Sequence, residues 1–244
     1  MSLLSRFRKD SGSPAIEPEE RTPGGSRILR SPAKPRNSPQ PVSDLDAALF
    51  AEDREEVYER FFGPCEGVDH EIAPLVPHVD VYLFKPGYEG RDFCTLVTGG
   101  MSDIPMNAPP DIGHEFRRAE LVFYCDEPKS EYVQLLRRYA HLAHDLQSWF
   151  WEAHTIPNGD PPTPLFADTP ALDCVLLLNS IVRPDNDLRS HLILDGDPVS
   201  LLWFIPITSA ECEFKLAQGV EALLDVFGQV QHPHVFTGNR RGYV

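Results

Sequence analysis

The sequence predicts an α+β fold in which a mixed, largely antiparallel sheet packs against helices. Three observations predict it: several runs have the length and apolar pattern of strands, other runs have helical spacing, and Pro and Gly residues separate them. After a first helix, the runs follow the order strand, strand, strand, helix, strand, strand, helix. That order favours an α+β sandwich.

We expect residues 1–42 to form a disordered tail and residues 43–244 to form the domain. Seven prolines fall within residues 14–41, and large apolar side chains are sparse there. Burial therefore cannot offset the entropy lost on ordering. The tail is either a tether or partner-binding arm, or a spacer with no role of its own.

The predicted elements follow from periodicity and turn chemistry. Helices are predicted at 43–62, at 129–151 and after Thr208, where Glu211 completes a capping box and Gly219 interrupts the helix. The first two strands are joined by Pro86-Gly87, which predicts a hairpin. The predicted strands are 78–86, 91–100, 118–125, 173–182 and 198–207.

Charge is distributed unevenly along the chain. Of the 22 basic and 37 acidic residues, 8 and 4 lie in residues 1–40, so this part carries +4 and the remainder, with 14 and 33, carries −19. Such an acidic domain repels nucleic acid and anionic lipid and favours a basic protein partner.

The sequence has no apolar run of about 18 residues and no secretory signal. The five cysteines include no CxxC pair, which suits free thiols in a reducing cytoplasm.

Signatures of catalysis and of cofactor binding are missing from the sequence. It contains no G-x-S-x-G, Walker, G-x-G-x-x-G or H-E-x-x-H motif. His141 and His144 have the spacing of a helical ligand pair, but no third ligand has diagnostic spacing, so a polar helix face is favoured over a metal site. Cys65 and Cys94 have no local partner that supports a nucleophile. We therefore predict a protein that is not an enzyme and has no metal or cofactor.

Uncommon loop residues are the candidates for partner binding. Rigid aromatic side chains and adaptable methionines suit binding surfaces, although both also fill cores. For Met101, Met106 and the tryptophans, core filling stays open as the alternative. The candidate partner-binding residues are Met101, Ser102, Asp103, Pro105, Met106, Trp151, His154, Pro157 and Asn158.

Five segments, in this order, resemble the Suppressor of Fused domain family over about residues 55–242. They are TLVTGGMSDIPM, RAELVFYCDEP, WFWEAHTIPNGDPPTPLF, VSLLWFIPIT and the closing NRRG. The resemblance implies an α/β sandwich like the N-terminal domain of the eukaryotic protein. That protein is a cytoplasmic and nuclear inhibitor of zinc-finger transcription factors in Hedgehog signalling. In it an acidic residue that helps to bind the partner precedes a loop histidine, whereas Ala153 precedes His154 here.

The resemblance also implies a mode of action. Short, single-domain relatives in bacteria are thought to act as immunity proteins that neutralise polymorphic toxins, and the acidic domain suits a basic toxin. We therefore expect a cytoplasmic module that masks or inhibits a protein partner. The alternatives are a regulatory scaffold that binds a transcription factor or signalling protein, and a Cys- or metal-dependent hydrolase.

Overall fold

The computed structural model describes residues 20–29, 50–73, 75–238 and 240–244. Within these residues, helices cover both faces of one eight-stranded sheet. The helices are α1 (Ala51–Phe62), α2 (Ser130–Asp145), α3 (Ser209–Gln218) and α4 (Val220–Gln229). The strands are β1 (Cys65–Asp69), β2 (Asp80–Phe84), β3 (Cys94–Gly99), β4 (Arg118–Cys125), β5 (Thr155–Pro157), β6 (Cys174–Asn179), β7 (Ile193–Leu194) and β8 (Asp197–Ile207). The predicted α+β class is confirmed.

The sheet runs in the order β1-β2-β3-β4-β8-β6-β5, and β7 pairs with β8 beside this path. Among the described strands, β4 and β8 form the one parallel pair, so the sheet is mixed and largely antiparallel as predicted. The predicted hairpin is confirmed by the antiparallel register of β2 and β3. Strands β1 and β5 form the two edges of the sheet.

Each central strand supplies side chains to two separate cores, because successive residues of a strand point to opposite faces. On β4, Leu121 and Phe123 join the cluster under α2, whereas Val122 and Tyr124 join the cluster under α1, α3 and α4. We call these sides the α2 face and the α1 face. Burial on both faces explains why β4 reads as an apolar run from Leu121 to Cys125.

Helix α2 ends at Asp145, six residues before the predicted end at Trp151. Gln147 has a φ of 49°, and the Ser148 N–H donates to the Ala143 carbonyl, 2.8 Å away, which closes the helix. The aromatic segment therefore lies outside the helix. The residues beyond it contain the short edge strand β5, which was not among the predicted strands, and β1 was likewise not predicted.

The predicted start of α3 is confirmed in detail. The Thr208 hydroxyl accepts the Glu211 N–H at 3.1 Å, and Glu211 accepts the Thr208 N–H at 2.8 Å. Gly219, with a φ of 95°, separates α3 from α4 as predicted. The predicted helix start at Ser43 lies outside the described residues. No helix in the described part of the chain is long and apolar enough to cross a membrane.

Residues 20–29 fall within the segment expected to be a disordered tail, yet they are ordered against the domain. The Gly24 N–H donates to the Leu216 carbonyl at 2.8 Å, and Leu29 packs against the α2-face core. These contacts supply the burial that the sequence of the tail does not reveal. The remaining residues of the predicted tail lie outside the described part, so the boundary at residue 42 stays a prediction.

Candidate partner-binding surface

The loop after β3 is organised by one buried carboxylate. Glu120 is fully buried, and its Oε1 accepts the Gly100 N–H at 2.9 Å, the Ser102 N–H at 2.9 Å and the Ser102 hydroxyl at 2.6 Å. Its Oε2 accepts the Thr98 hydroxyl at 2.6 Å. Burial raises the pKa of Glu120, and Arg54 and the hydrogen bonds oppose that rise. Ser102 is therefore a structural residue of the loop.

Asp103 is held from two sides by arginines. Arg54 Nη1 lies 2.5 Å from Asp103 Oδ1, and Arg118 Nη1 donates to the carbonyls of Ser102 and Asp103 at 2.7 and 2.9 Å. Burial raises the pKa of Asp103, and Arg54 opposes the rise. The Asp103 carboxylate is thus paired within the domain through Oδ1, and Arg118 fixes the backbone of the same loop.

Met101 and Met106 lie in the α2-face core, so core filling holds for both in this structure. Met106 Sδ accepts the Phe150 N–H at 3.4 Å, and His144 Nε2 donates to the Met101 carbonyl at 3.0 Å. The two candidate segments, the loop after β3 and the residues after α2, are therefore joined to each other.

An aromatic corner forms after α2. Trp149 is buried and stacks on half-buried Trp151 with ring centroids 5.8 Å apart, and the rings of Trp149 and His154 lie 5.1 Å apart. His154 Nδ1 accepts the Trp151 N–H at 3.2 Å. Burial, followed by the charges of Lys215 and Arg27, lowers the pKa of His154 to about 4. Its imidazole is neutral at pH 7.

Asn158 and Pro157 lie at the other end of β5. Asn158 is buried, its Nδ2 donates to the carbonyls of Thr163 and Pro164 at 2.8 and 3.0 Å, and its Oδ1 accepts from Arg138 Nη2 at 2.8 Å. Asn158 therefore shapes the loop that follows β5, and Pro157 beside it is exposed. Of the two, Pro157 is accessible to a partner.

A cleft of about 360 Å³ marks the junction of the two candidate segments. Exposed Ile104 lies in the first of these segments and exposed Leu146 directly after α2. The cleft is lined by Pro105, Asn107, Ala143, His144 and Gln147. The cleft and Asn158 lie at different positions along α2. Arg138, which donates to Asn158, lies six residues before His144, and this spacing corresponds to about 9 Å along the helix axis. The structure thus brings Pro105 to the helix end and leaves the Asn158 end of β5 apart from it.

A second concave surface, which sequence reasoning missed, lies at the opposite edge of the sheet. It is a groove of about 480 Å³ between α1 and edge strand β1, with Tyr82 and Phe84 among its lining residues. We call it the acidic groove, after its four glutamates: Glu52, Glu55, Glu56 and Glu59. Their spacing of i, i+3, i+4 and i+7 places them on one face of α1, a signal that was readable in the sequence.

The side chains considered for catalysis have other partners here. His141 Nε2 donates to Glu71 Oε1 at 2.7 Å, whereas His144 points to the loop after β3. In the described ranges no three His, Cys, Asp or Glu side chains are grouped to hold a metal ion. Burial raises the pKa values of the Cys65 and Cys94 thiols, which makes both poorer nucleophiles at neutral pH.

Comparison with known proteins identifies a family and solved structures that this chain resembles. The family model described as Suppressor of fused protein (SUFU) matches residues 76–241. A structure of a putative SUFU homologue from Neisseria gonorrhoeae has a TM-score of 0.60 at 17% identity and covers 80% of this chain and 97% of that one. A structure of the Sufu-Fu complex has a TM-score of 0.53 at 11% identity and covers 81% and 92%. Among the curated proteins compared, none matches.

These two structural likenesses show the fold, and the family model spans more than half of the chain, from the end of the β1–β2 connection to the last residues. The segments after β3 and after α2, on which the sequence resemblance depended, both lie within the matched range. The chain belongs to the Suppressor of Fused family.

Proposed function

We propose that this protein is a non-enzymatic module that binds and masks a basic protein partner, and that the acidic groove receives a basic segment of it. The groove is the observation that carries the proposal. It combines four carboxylates, a partly aromatic floor and strand β1, which pairs among the described strands with β2 alone. An edge strand beside such a floor suits an extended peptide.

Charge supports a basic partner over a neutral one. Outside residues 1–40 the chain carries −19, so its field accelerates encounter with a basic surface. Binding of a protein partner suits the family, because one of the similar structures is that of a Sufu-Fu complex.

The finer role that we propose is immunity against a basic polymorphic toxin, exerted in the cytoplasm. All five cysteines are free thiols, which suits that reducing compartment. A nuclease toxin binds phosphate through basic side chains, and an acidic groove can occupy those side chains. Co-expression with a toxin encoded beside this gene tests the role. Cells protected by the wild-type protein support it, and unprotected cells contradict it.

We propose a second contact at the candidate residues that are not buried: Pro105 and Pro157, which are exposed, and Trp151 and His154, which are half-buried. Pro105 lines the cleft, Trp151 and His154 belong to the aromatic corner, and Pro157 is the last residue of β5. In this arrangement Met101, Ser102, Asp103, Met106 and Asn158 fix the shape of the surface without touching the partner. A regulatory scaffold would use the same surfaces, and the identity of a co-purified protein distinguishes it from an immunity protein.

Neutralising the acidic groove tests the proposal. We expect Glu52→Gln, Glu56→Gln and Glu59→Gln together to weaken binding of the co-purified partner by about tenfold or more, and to reduce the dependence of its Kd on salt. Glu55 is left intact because it accepts from the Tyr82 hydroxyl. Calorimetric titration at low and at high salt concentration measures both effects.

The matched control removes the same number of charges from α3 and α4. Glu213→Gln, Glu221→Gln and Asp225→Asn are exposed positions outside the groove, and we expect the combined variant to bind nearly as the wild type does. Equal weakening by the two triple variants would mean that net charge, and not the groove, determines binding. That result would overturn the groove as the binding site.

A further inference from the structure

Residues 20–29 form a self-closed turn. The Thr22 N–H donates to the Ser26 carbonyl at 2.9 Å, and the Ser26 N–H donates to the Thr22 hydroxyl at 3.1 Å. Arg21 and Arg27 form an antiparallel bridge across the turn. We call residues 20–29 the docked segment.

Gly24 anchors the docked segment to the end of α3 by a fit that admits no side chain. A Cβ built on Gly24 would lie 2.3 Å from the Gly219 nitrogen and 2.8 Å from the carbonyl oxygens of Lys215 and Leu216. Those atoms belong to the backbone and cannot move aside as a flexible side chain does. The Gly24 N–H meanwhile donates to the Leu216 oxygen at 2.8 Å. The close packing of Gly24 against the end of α3 therefore requires glycine at this position.

The segment then crosses from one face of the sheet to the other. Leu216 packs on the α1 face, whereas Leu29 packs against the core of the α2 face. The five residues from Gly24 to Leu29 reach about 17 Å at most, which is too short for a detour. Arg27 Nη2, between them, lies 3.1 Å from both carboxylate oxygens of Asp111.

The crossing takes place beside His154. Helix α3 packs on β6, next to the edge strand β5, and His154 directly precedes β5. Lys215 of α3 and Arg27 of the docked segment both act on the His154 imidazole and lower its pKa. Leu29 belongs with Trp151 and Ile156 to the outer layer of the α2-face core. The docked segment therefore lies beside the corner at which a second partner contact is proposed above.

We propose that residues 20–29 are a releasable intramolecular cover of the Trp151–His154 corner, and that a partner reaches this corner only after displacing them. The docked segment is itself basic, with Arg21 and Arg27 against Glu20, so a basic segment of a partner can compete for the same place. Only the identity of the competitor rests on the proposed function. The docking and its release are testable on the protein alone.

The contacts that hold the segment include ones that a competitor can replace. The Arg27–Asp111 pair is partly exposed, with side-chain exposures of 22% and 63%, so solvent screens it. Gly24 donates one backbone hydrogen bond to the Leu216 carbonyl, and Leu29 is half-buried against the α2-face core. Ordering the segment costs conformational entropy, which opposes these contacts and favours release.

The test uses the full chain with Gly24→Ala, which adds only the colliding Cβ. Gly228→Ala is the matched control, because a Cβ on Gly228 meets nothing within 4 Å. We expect trypsin to cut after Arg21 and Arg27 about tenfold faster in G24A than in the wild type or G228A. The pKa of His154, followed by NMR, should rise from about 4 toward its ordinary value in G24A. Asp111→Ala should produce smaller changes of the same sign.

A synthetic peptide of residues 20–29 supplies the decisive measurement. By fluorescence anisotropy it should bind G24A, whose site is vacated, more tightly than the wild type, and a peptide carrying the same Gly24→Ala change should not bind. Equal trypsin cleavage in all variants, or equal peptide binding to G24A and the wild type, would overturn the proposal. An unchanged His154 pKa in a G24A chain that is cleaved faster would also overturn it, because the segment would then not cover that corner. None of these outcomes depends on the acidic groove.

Discussion

At the scale of single residues, Glu120 explains why GMSDIPM has its particular composition. Gly100 has a φ of 117°, and any Cβ there would collide with the His78 carbonyl, so only glycine fits the turn. Ser102 supplies two of the donors that Glu120 needs. Unusual loop residues indicated a binding surface in the sequence, but the same residues satisfy a buried carboxylate. A sequence cannot separate these two interpretations, because both require polar side chains in a loop.

Glu120→Ala should destabilise the protein by about 3–5 kcal/mol, because it leaves the donors of Gly100, Ser102 and Thr98 without their buried acceptor and removes one of the two carboxylates that act on Arg54. Urea unfolding followed by circular dichroism measures the loss. Glu120→Gln retains an acceptor oxygen and should cost clearly less. A loss below about 1 kcal/mol for E120A would show that water replaces the carboxylate.

At the scale of elements, the central strands and the α3 cap could be predicted, whereas the edges of the sheet could not. Strands β4 and β8 are buried on both faces and read as long apolar runs. Strand β1 is CEGVD and β5 is TIP, too short and too polar or proline-rich for a periodic signal. The acidic groove depends on one of these edges, so its place could not be predicted, although the spacing of its glutamates could be.

Thr208→Ala should cost about 1 kcal/mol, because it removes the hydroxyl that caps α3 at the Glu211 N–H. The same change should loosen the chain end, since Glu211 Oε1 also accepts from Arg240 at 2.6 Å and from the Tyr243 N–H at 3.1 Å. Thermal unfolding and amide exchange at Tyr243 measure the two effects. Thr208→Ser keeps the cap and should behave as the wild type; an equal loss in both variants would point to the methyl group instead.

At the scale of the whole molecule, the sheet separates surfaces that differ in chemistry. The β1 edge has the acidic groove, and the β5 edge has an aromatic corner beside a docked basic segment of the same chain. A partner that displaces that segment and enters the groove would contact both edges, which lie at opposite ends of the sheet. Such a partner would have to wrap around one face, and masking of a large surface follows from that geometry.

Two half-buried histidines should make the stability of the whole molecule depend on pH between about 4 and 6.5. Burial, followed by the charges of Lys215 and Arg27, lowers the pKa of His154 to about 4, and burial and Arg240 do the same for His232. In this window the unfolded chain binds these protons and the folded chain does not, so the free energy of unfolding falls as pH falls. Each pKa unit corresponds to about 1.4 kcal/mol, so together the two histidines contribute a few kcal/mol above pH 6.5 that disappear by pH 4.

Urea unfolding at pH 7, 5.5 and 4.5 measures this decline in the free energy of unfolding. The decline should be smaller for the double variant His154→Gln, His232→Gln than for the wild type. Parallel curves would mean that carboxylates alone produce the loss, because they titrate in both proteins.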